Sequence, residues 1–204
     1  SKLLSLYAMK TIIVPVDFSR TSINTAHYAV KMITRRGDIK MIFYHVYEKA
    51  AEEGSTEQIL VKLKEDLQLA NFIKIETRCE ESSDFIGSLD RLARHLDADL
   101  VVMGITGKTR IEQVLFGSNT LKMVEKNVCP VLIIPPAAQF TEIKNVAFAS
   151  DFKGVEKSIP FVPIKKVLHL FSPALHVVNV DSGLIFSGLS SEGSCMAPVG
   201  SGFN

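Results

Sequence analysis

The sequence predicts an α/β fold, a doubly wound five-stranded sheet that is mainly parallel, with helices on both faces. Three observations carry the prediction. Short apolar, β-branched runs and longer amphipathic segments alternate strictly from Thr11 to Ile134. Most of the runs lack period-two alternation, as strands buried on both faces do. Cap-type residues or glycines stand at most junctions between them.

The first run, Thr11–Val16, reads TIIVPV and ends at Asp17. Ser19, Arg20 and Thr21 offer caps for a helix over Thr21–Arg36, in which Ile23, Ala26, Val30 and Ile33 fall at helical spacing before Gly37 and Asp38 stop it. A second strand covers Ile39–Val46. An amphipathic helix is expected over Thr56–Ala70, with Ile59, Leu60, Leu63 and Leu67 on one stripe. The run from Phe72 to Cys79 does alternate, so this third strand reads as a half-exposed edge. Ser82, Ser83 and Asp84 precede a third helix, FIGSLDRLARHLD; the strand ADLVVMG follows and ends in Gly104. A glycine-marked loop to Gly117, a helix SNTLKMVEKN and a fifth strand within CPVLIIPP complete the series. In open α/β sheets ligands bind beyond the carboxyl ends of the strands, where strand order reverses, so the chemistry is sought there.

Composition narrows the partners. The chain has 23 Lys plus Arg against 22 Asp plus Glu, a net charge of +1, whereas proteins that neutralise many phosphates carry a clustered basic excess. Nucleic acid is not the expected partner. No apolar run approaches the ~18–20 residues of a membrane span, and SKLLSLYAMKTIIV has no signal-peptide pattern, so a cytoplasmic protein is expected. Cys79, Cys129 and Cys195 are far apart and form no CxxC, which points to neither a disulfide framework nor a zinc site.

The loop after the fourth strand holds the strongest motif. Gly107-Lys108-Thr109 imitates the end of a Walker A loop, but Val102 stands where its first glycine belongs. No GxGxxG follows a strand, and there is no HExxH, GxSxG or evident Cys-His pairing. What remains is Gly104-x2-Gly107-x9-Gly117-Ser118. Three glycines let the backbone approach a bulky anion, and Gly117-Ser118 opens a helix whose free N–H groups suit phosphate. Asp17 reads either as a cap or as a ligand contact, and Lys108 and Arg110 either as phosphate contacts or as solvated loop cations. Of the five histidines, His45 is the one that can approach this site.

This spacing, with VPVD at the first strand end, HV at the second, VMG before the loop and NVCPVLIIP at the close, resembles the ATP-binding branch of the universal stress protein family over about Met9–Pro136. The resemblance implies an adenine nucleotide alpha-hydrolase-like fold with strand order 3-2-1-4-5. It implies that Pro15, Val16 and Asp17 line the adenine and ribose side, and that the Val46 backbone meets the adenine edge. Met103, Gly104 and Gly107 would then cradle ribose and phosphate, and Gly117, Ser118 and Asn119 hold the phosphates. Asn119 replaces the family's usual Val or Thr at a position that contributes mainly its N–H. Mg2+ would arrive with ATP, because phosphate oxygens supply most of its coordination. The family also implies a homodimer, paired through the last strand, Val131–Ile134.

The remainder holds an internal similarity. A shift of 134 residues sets KTIIVPVDF on KNVAFASDF, Asp17 on Asp151 and Val46 on Val180. Identities are few (Lys10, Asp17, Phe18, Lys31 and Val46), but the apolar runs MIFYHV and LHVVNV also coincide. The expected organisation is one universal stress protein domain over 9–140, a partial second repeat (strand, helix, strand) over 141–182, and a Gly/Ser-rich tail over 183–204. Pro160 and Pro163 either shorten the repeat's helix or sit in its first turn. No general base stands beside a nucleophile, so no catalytic or metal-ligating residues are assigned. The leading reading is an ATP-binding protein of stress response or regulation with little or no hydrolysis. A slow ATPase or nucleotide-using transferase, and a nucleotide-free interaction module, are the alternatives.

Overall fold

The computed structural model describes residues 7–34, 36–71, 73–105, 118–150 and 161–179. Its main sheet has five strands, β1 (Thr11–Pro15), β2 (Lys40–Tyr47), β3 (Lys74–Glu81), β4 (Leu100–Gly104) and β5 (Val131–Ile134), in the order β3-β2-β1-β4-β5 with every pairing parallel. Helices α1 (Arg20–Met32), α2 (Glu53–Asn71), α3 (Phe85–His95) and α4 (Ser118–Lys126) connect them. Among the described residues β3 lies at an edge and pairs β2 alone, in accord with its alternating sequence.

Residue alternation along each strand divides the core in two. Ile12, Val14, Met41 and Phe43 pack with Ala26, Ala29 and Val30 of α1 and with Leu60 and Leu67 of α2. Ile13, Ile42 and Tyr44 face the other way, onto Ile86, Leu89 and Ala93 of α3 and Met123 of α4. Across the second layer the Tyr44 hydroxyl donates to Glu80 Oε2 at 2.6 Å, while Ser88 and Arg91 of α3 hold Oε1.

Two helix boundaries differ from expectation through local hydrogen bonds. Helix α1 stops at Met32 because the Ile33 and Thr34 amides bond three residues back, tightening the last turn. Helix α2 begins at Glu53, after a 3-10 turn at Ala50–Glu52; Thr56, expected to open the helix, lies inside it and returns its hydroxyl to the Glu52 carbonyl at 2.8 Å. Ile59 sits on the expected stripe yet is 52% exposed, at the margin of the face that buries Leu60.

Beyond β5 a second, two-stranded parallel sheet, β6 (Asn145–Ser150) and β7 (Ala174–Asn179), brackets α5 (Phe161–Phe171), with Pro163 in the first turn of that helix. Its register starts at Asn145↔Ala174, the Thr11↔Lys40 pairing of β1 and β2 displaced by 134 residues. Several contacts tie α5 to the first unit. Leu170 enters the first core layer, the Arg36 guanidinium donates to the Leu170 carbonyl at 2.9 Å, and Lys166 pairs with buried Asp99. Asp99 also accepts from the Lys10 and Thr11 amides through its other oxygen. Residues 151–160 and the 183–204 tail lie outside the described residues.

Candidate functional site

Where the chain leaves β1 and β4 for helices on opposite faces of the sheet, the carboxyl ends of β1, β2 and β4 open into a cleft of about 290 Å³. Pro15, Val16, Asp17, Val46, Met103, Gly104 and Asn119, all singled out from the sequence, line it together. Ser118 is the first residue of α4. Gly107 and Gly117 fall outside the described residues.

The first wall is built by the turn after β1. Val16 continues the ladder by donating to the Tyr44 carbonyl at 2.8 Å. Phe18 then adopts φ 61, a left-handed conformation that turns the chain sharply into α1. Ser19 caps the helix, its hydroxyl accepting from the Ser22 amide at 3.2 Å. Asp17 is therefore not the cap. Its own N–H donates to Ser22 Oγ at 3.3 Å and its Oδ1 accepts from the Ser19 N–H at 3.0 Å, which leaves the carboxylate facing solvent in the cleft. Partial burial pushes the Asp17 carboxyl up, but the hydrogen bonds from Ser19 and Ser22 outweigh it and hold it below the usual carboxylate range. Asp17 is an anion at neutral pH, an acceptor suited to ligand hydroxyl or amino groups.

The opposite wall rests on a close approach. A side chain at Gly104 would place its Cβ 2.6 Å from Thr25 Oγ1 and 2.7 Å from Thr21 Cγ2, so the glycine lets α1 seat against the end of β4. Sequence spacing marks Gly104 as part of a phosphate cradle; the structure adds a packing reason. The Thr120 hydroxyl donates to the Gly104 carbonyl at 3.3 Å, fixing the start of α4 to the strand end. α4 thus begins at the cleft, where Asn119 and Thr120 line it, and the start of a helix is a place that favours an anion.

His45 also lines the cleft, its Nδ1 2.7 Å from the Val16 carbonyl and its ring 4.6 Å from that of Phe18. Ser22, Phe85 and Thr120 line it without having been anticipated. Ser22 had a usable signal, the S-x-x-S spacing from Ser19 that brings a second hydroxyl back over a helix start. Phe85 and Thr120 reach the cleft through tertiary packing, which one-dimensional spacing does not report. Among the described residues no three His, Cys, Asp or Glu side chains converge as metal ligands, and no helix is long and apolar enough to cross a membrane.

The universal stress protein family model matches residues 9–135. A universal stress protein of Methanocaldococcus jannaschii is 31% identical over 140 residues, 61% of this chain and 81% of its own length. Among solved structures, a universal stress protein in complex with cAMP superposes with a TM-score of 0.53 at 25% identity, covering 64% of this chain and 99% of that one. A universal stress protein of Archaeoglobus fulgidus, with a TM-score of 0.51 at 18% identity over 62% of this chain and 98% of its own, shares the fold.

Proposed function

Because the chain belongs to the universal stress protein family, we propose that it binds an adenine nucleotide, ATP carrying Mg2+, and acts in stress response or its regulation with little or no hydrolysis. The observation that carries this reading is the cleft itself. Its α4 end carries the polar Asn119 and Thr120 beside Gly104 of β4, and the rest of its lining includes the apolar Val16, Val46 and Phe85. A phosphate chain fits the α4 end and a planar base the apolar lining, with Asp17 to accept from ribose or base. The relative in complex with cAMP supports adenine as the base. Mg2+ needs no protein cage here, since ATP oxygens and water complete its octahedron. Gly107, Gly117 and Ser118 are assigned to the phosphates with Asn119. Little or no hydrolysis is supported by the described lining, in which Asp17 is the one carboxylate.

The same reading makes 9–140 a complete nucleotide-binding domain and 141–182 a partial tandem repeat, and places the protein in the cytoplasm as a homodimer joined through the open edge of β5. The direct test is to purify the chain without added nucleotide and identify any bound small molecule by mass spectrometry, for the wild type and for Gly117→Val with Ser118→Val. Adenine nucleotide bound to the wild type and missing from the double variant supports the assignment. A wild type that neither retains nor takes up adenine nucleotide contradicts it and favours the interaction module.

A further inference from the structure

The β1–β2 ladder stops one rung early. On β2 the backbone groups of Tyr44 turn towards β1 and those of Tyr47 towards β3, as the Val16-to-Tyr44 and Ser82-to-Tyr47 bonds show, so Val46 turns towards β1 as well. A continuing parallel ladder would give the Val16 carbonyl to the Val46 N–H. Instead that carbonyl meets His45 Nδ1 at 2.7 Å. A carbonyl only accepts, so Nδ1 carries the proton and His45 is held in its Nδ1–H form. The same imidazole lies against Phe18, the residue at φ 61 on the far side of Asp17. One buried side chain thus holds both neighbours of Asp17.

We propose that His45 is a positioning residue of the cleft: it takes the Val16 carbonyl out of the ladder, leaving the Val46 N–H open to a ligand, and pins the turn that presents Asp17. The backbone part stands on geometry alone; the ligand part rests on the nucleotide reading above. His45→Phe keeps a ring beside Phe18 but has no donor, and the buried Val16 carbonyl then recruits the Val46 N–H to close the rung. His45→Asn keeps an amide donor near the place of Nδ1.

The experiment combines amide exchange, nitrogen shifts and ATP titration on the full chain. The wild type is expected to show an Nδ1-protonated imidazole. His45→Phe is expected to slow exchange at Val46 about tenfold and weaken ATP about fivefold, with His45→Asn close to wild type in both. An Nε2-protonated His45 overturns the proposal, as does exchange at Val46 in His45→Phe that is unchanged or rises together with its neighbours. If the exchange pattern holds but no adenine nucleotide binds, the ligand reading fails and the backbone role stands. If ATP binds and the pattern is absent, the positioning role alone fails.

Discussion

The strand-helix-strand units β1–α1–β2 and β6–α5–β7 share a register but have different surroundings. In the first, Ile13, Ile42 and Tyr44 are sealed beneath α3 and α4. At the corresponding positions of the second stand Ala147, His176 and Val178, all exposed, with His176 paired to Asn145 at 3.0 Å. The opposite face keeps its apolar character, and Val146 and Phe148 line a groove with Ile164, Val167 and Leu168 of α5. Local pattern therefore specifies strands and their pairing in both units. Depth of burial is decided by the layers the chain adds later: the first unit receives β3, β4, β5 and three more helices, and the second receives none among the described residues. The cleft follows the same logic, because it needs β4 and the start of α4 as its second wall.

Paired core substitutions should separate the units most widely. Phe43→Ala, in the sealed layer of β2, is expected to cost about 3–5 kcal/mol in denaturant unfolding. Val177→Ala, at the corresponding place on β7 and 47% exposed, should cost about 0.5 kcal/mol or less. Equal costs would mean that β6–β7 is buried in solution.

Asp99 joins the units and comes next in size. Asp99→Ala leaves the Lys10 and Thr11 amides and the Lys166 ammonium without their acceptor, an expected loss of about 2–3 kcal/mol. Amide exchange along β6 and β7 should quicken more than along β1. Uniform quickening would show that the two units open together.

Gly104→Ala probes the wall that the second unit lacks. The added methyl is expected to cost about 1–3 kcal/mol by crowding Thr21 and Thr25. Thr21→Ser, which removes the Cγ2 methyl, should recover part of that loss; no recovery would place the strain elsewhere.

The smallest effect is electrostatic. The hydrogen bond from Tyr44 outweighs partial burial and, aided by Arg91, holds the Glu80 carboxyl below its usual value of 4.5. A depressed folded pKa contributes stability that is complete above the unfolded value and lost as pH falls through the folded one. Thermal melts between neutral and acid pH should therefore show a shallower acid decline for Glu80→Gln than for the wild type.

Much of this was legible in advance. Five strands and four helices followed from apolar runs and caps, and the strand order followed from the resemblance that those residues carry. Seven residues named for the site line one cleft, because strand ends and a helix start are positions that sequence marks well. Helix limits were less legible: Thr56 can cap or bond backwards, and the choice depends on the 3-10 turn ahead of it. The sequence brings His45 near the site, but its bond to Val16 depends on where the β1–β2 ladder ends, and sequence does not state that.

The central claim is that one unit of the chain forms a nucleotide cleft and the other does not. Calorimetric titration of the whole chain with ATP and Mg2+ tests it most directly. The account predicts one ATP per chain, weakened by Asp17→Ala; two per chain, or none, would contradict it.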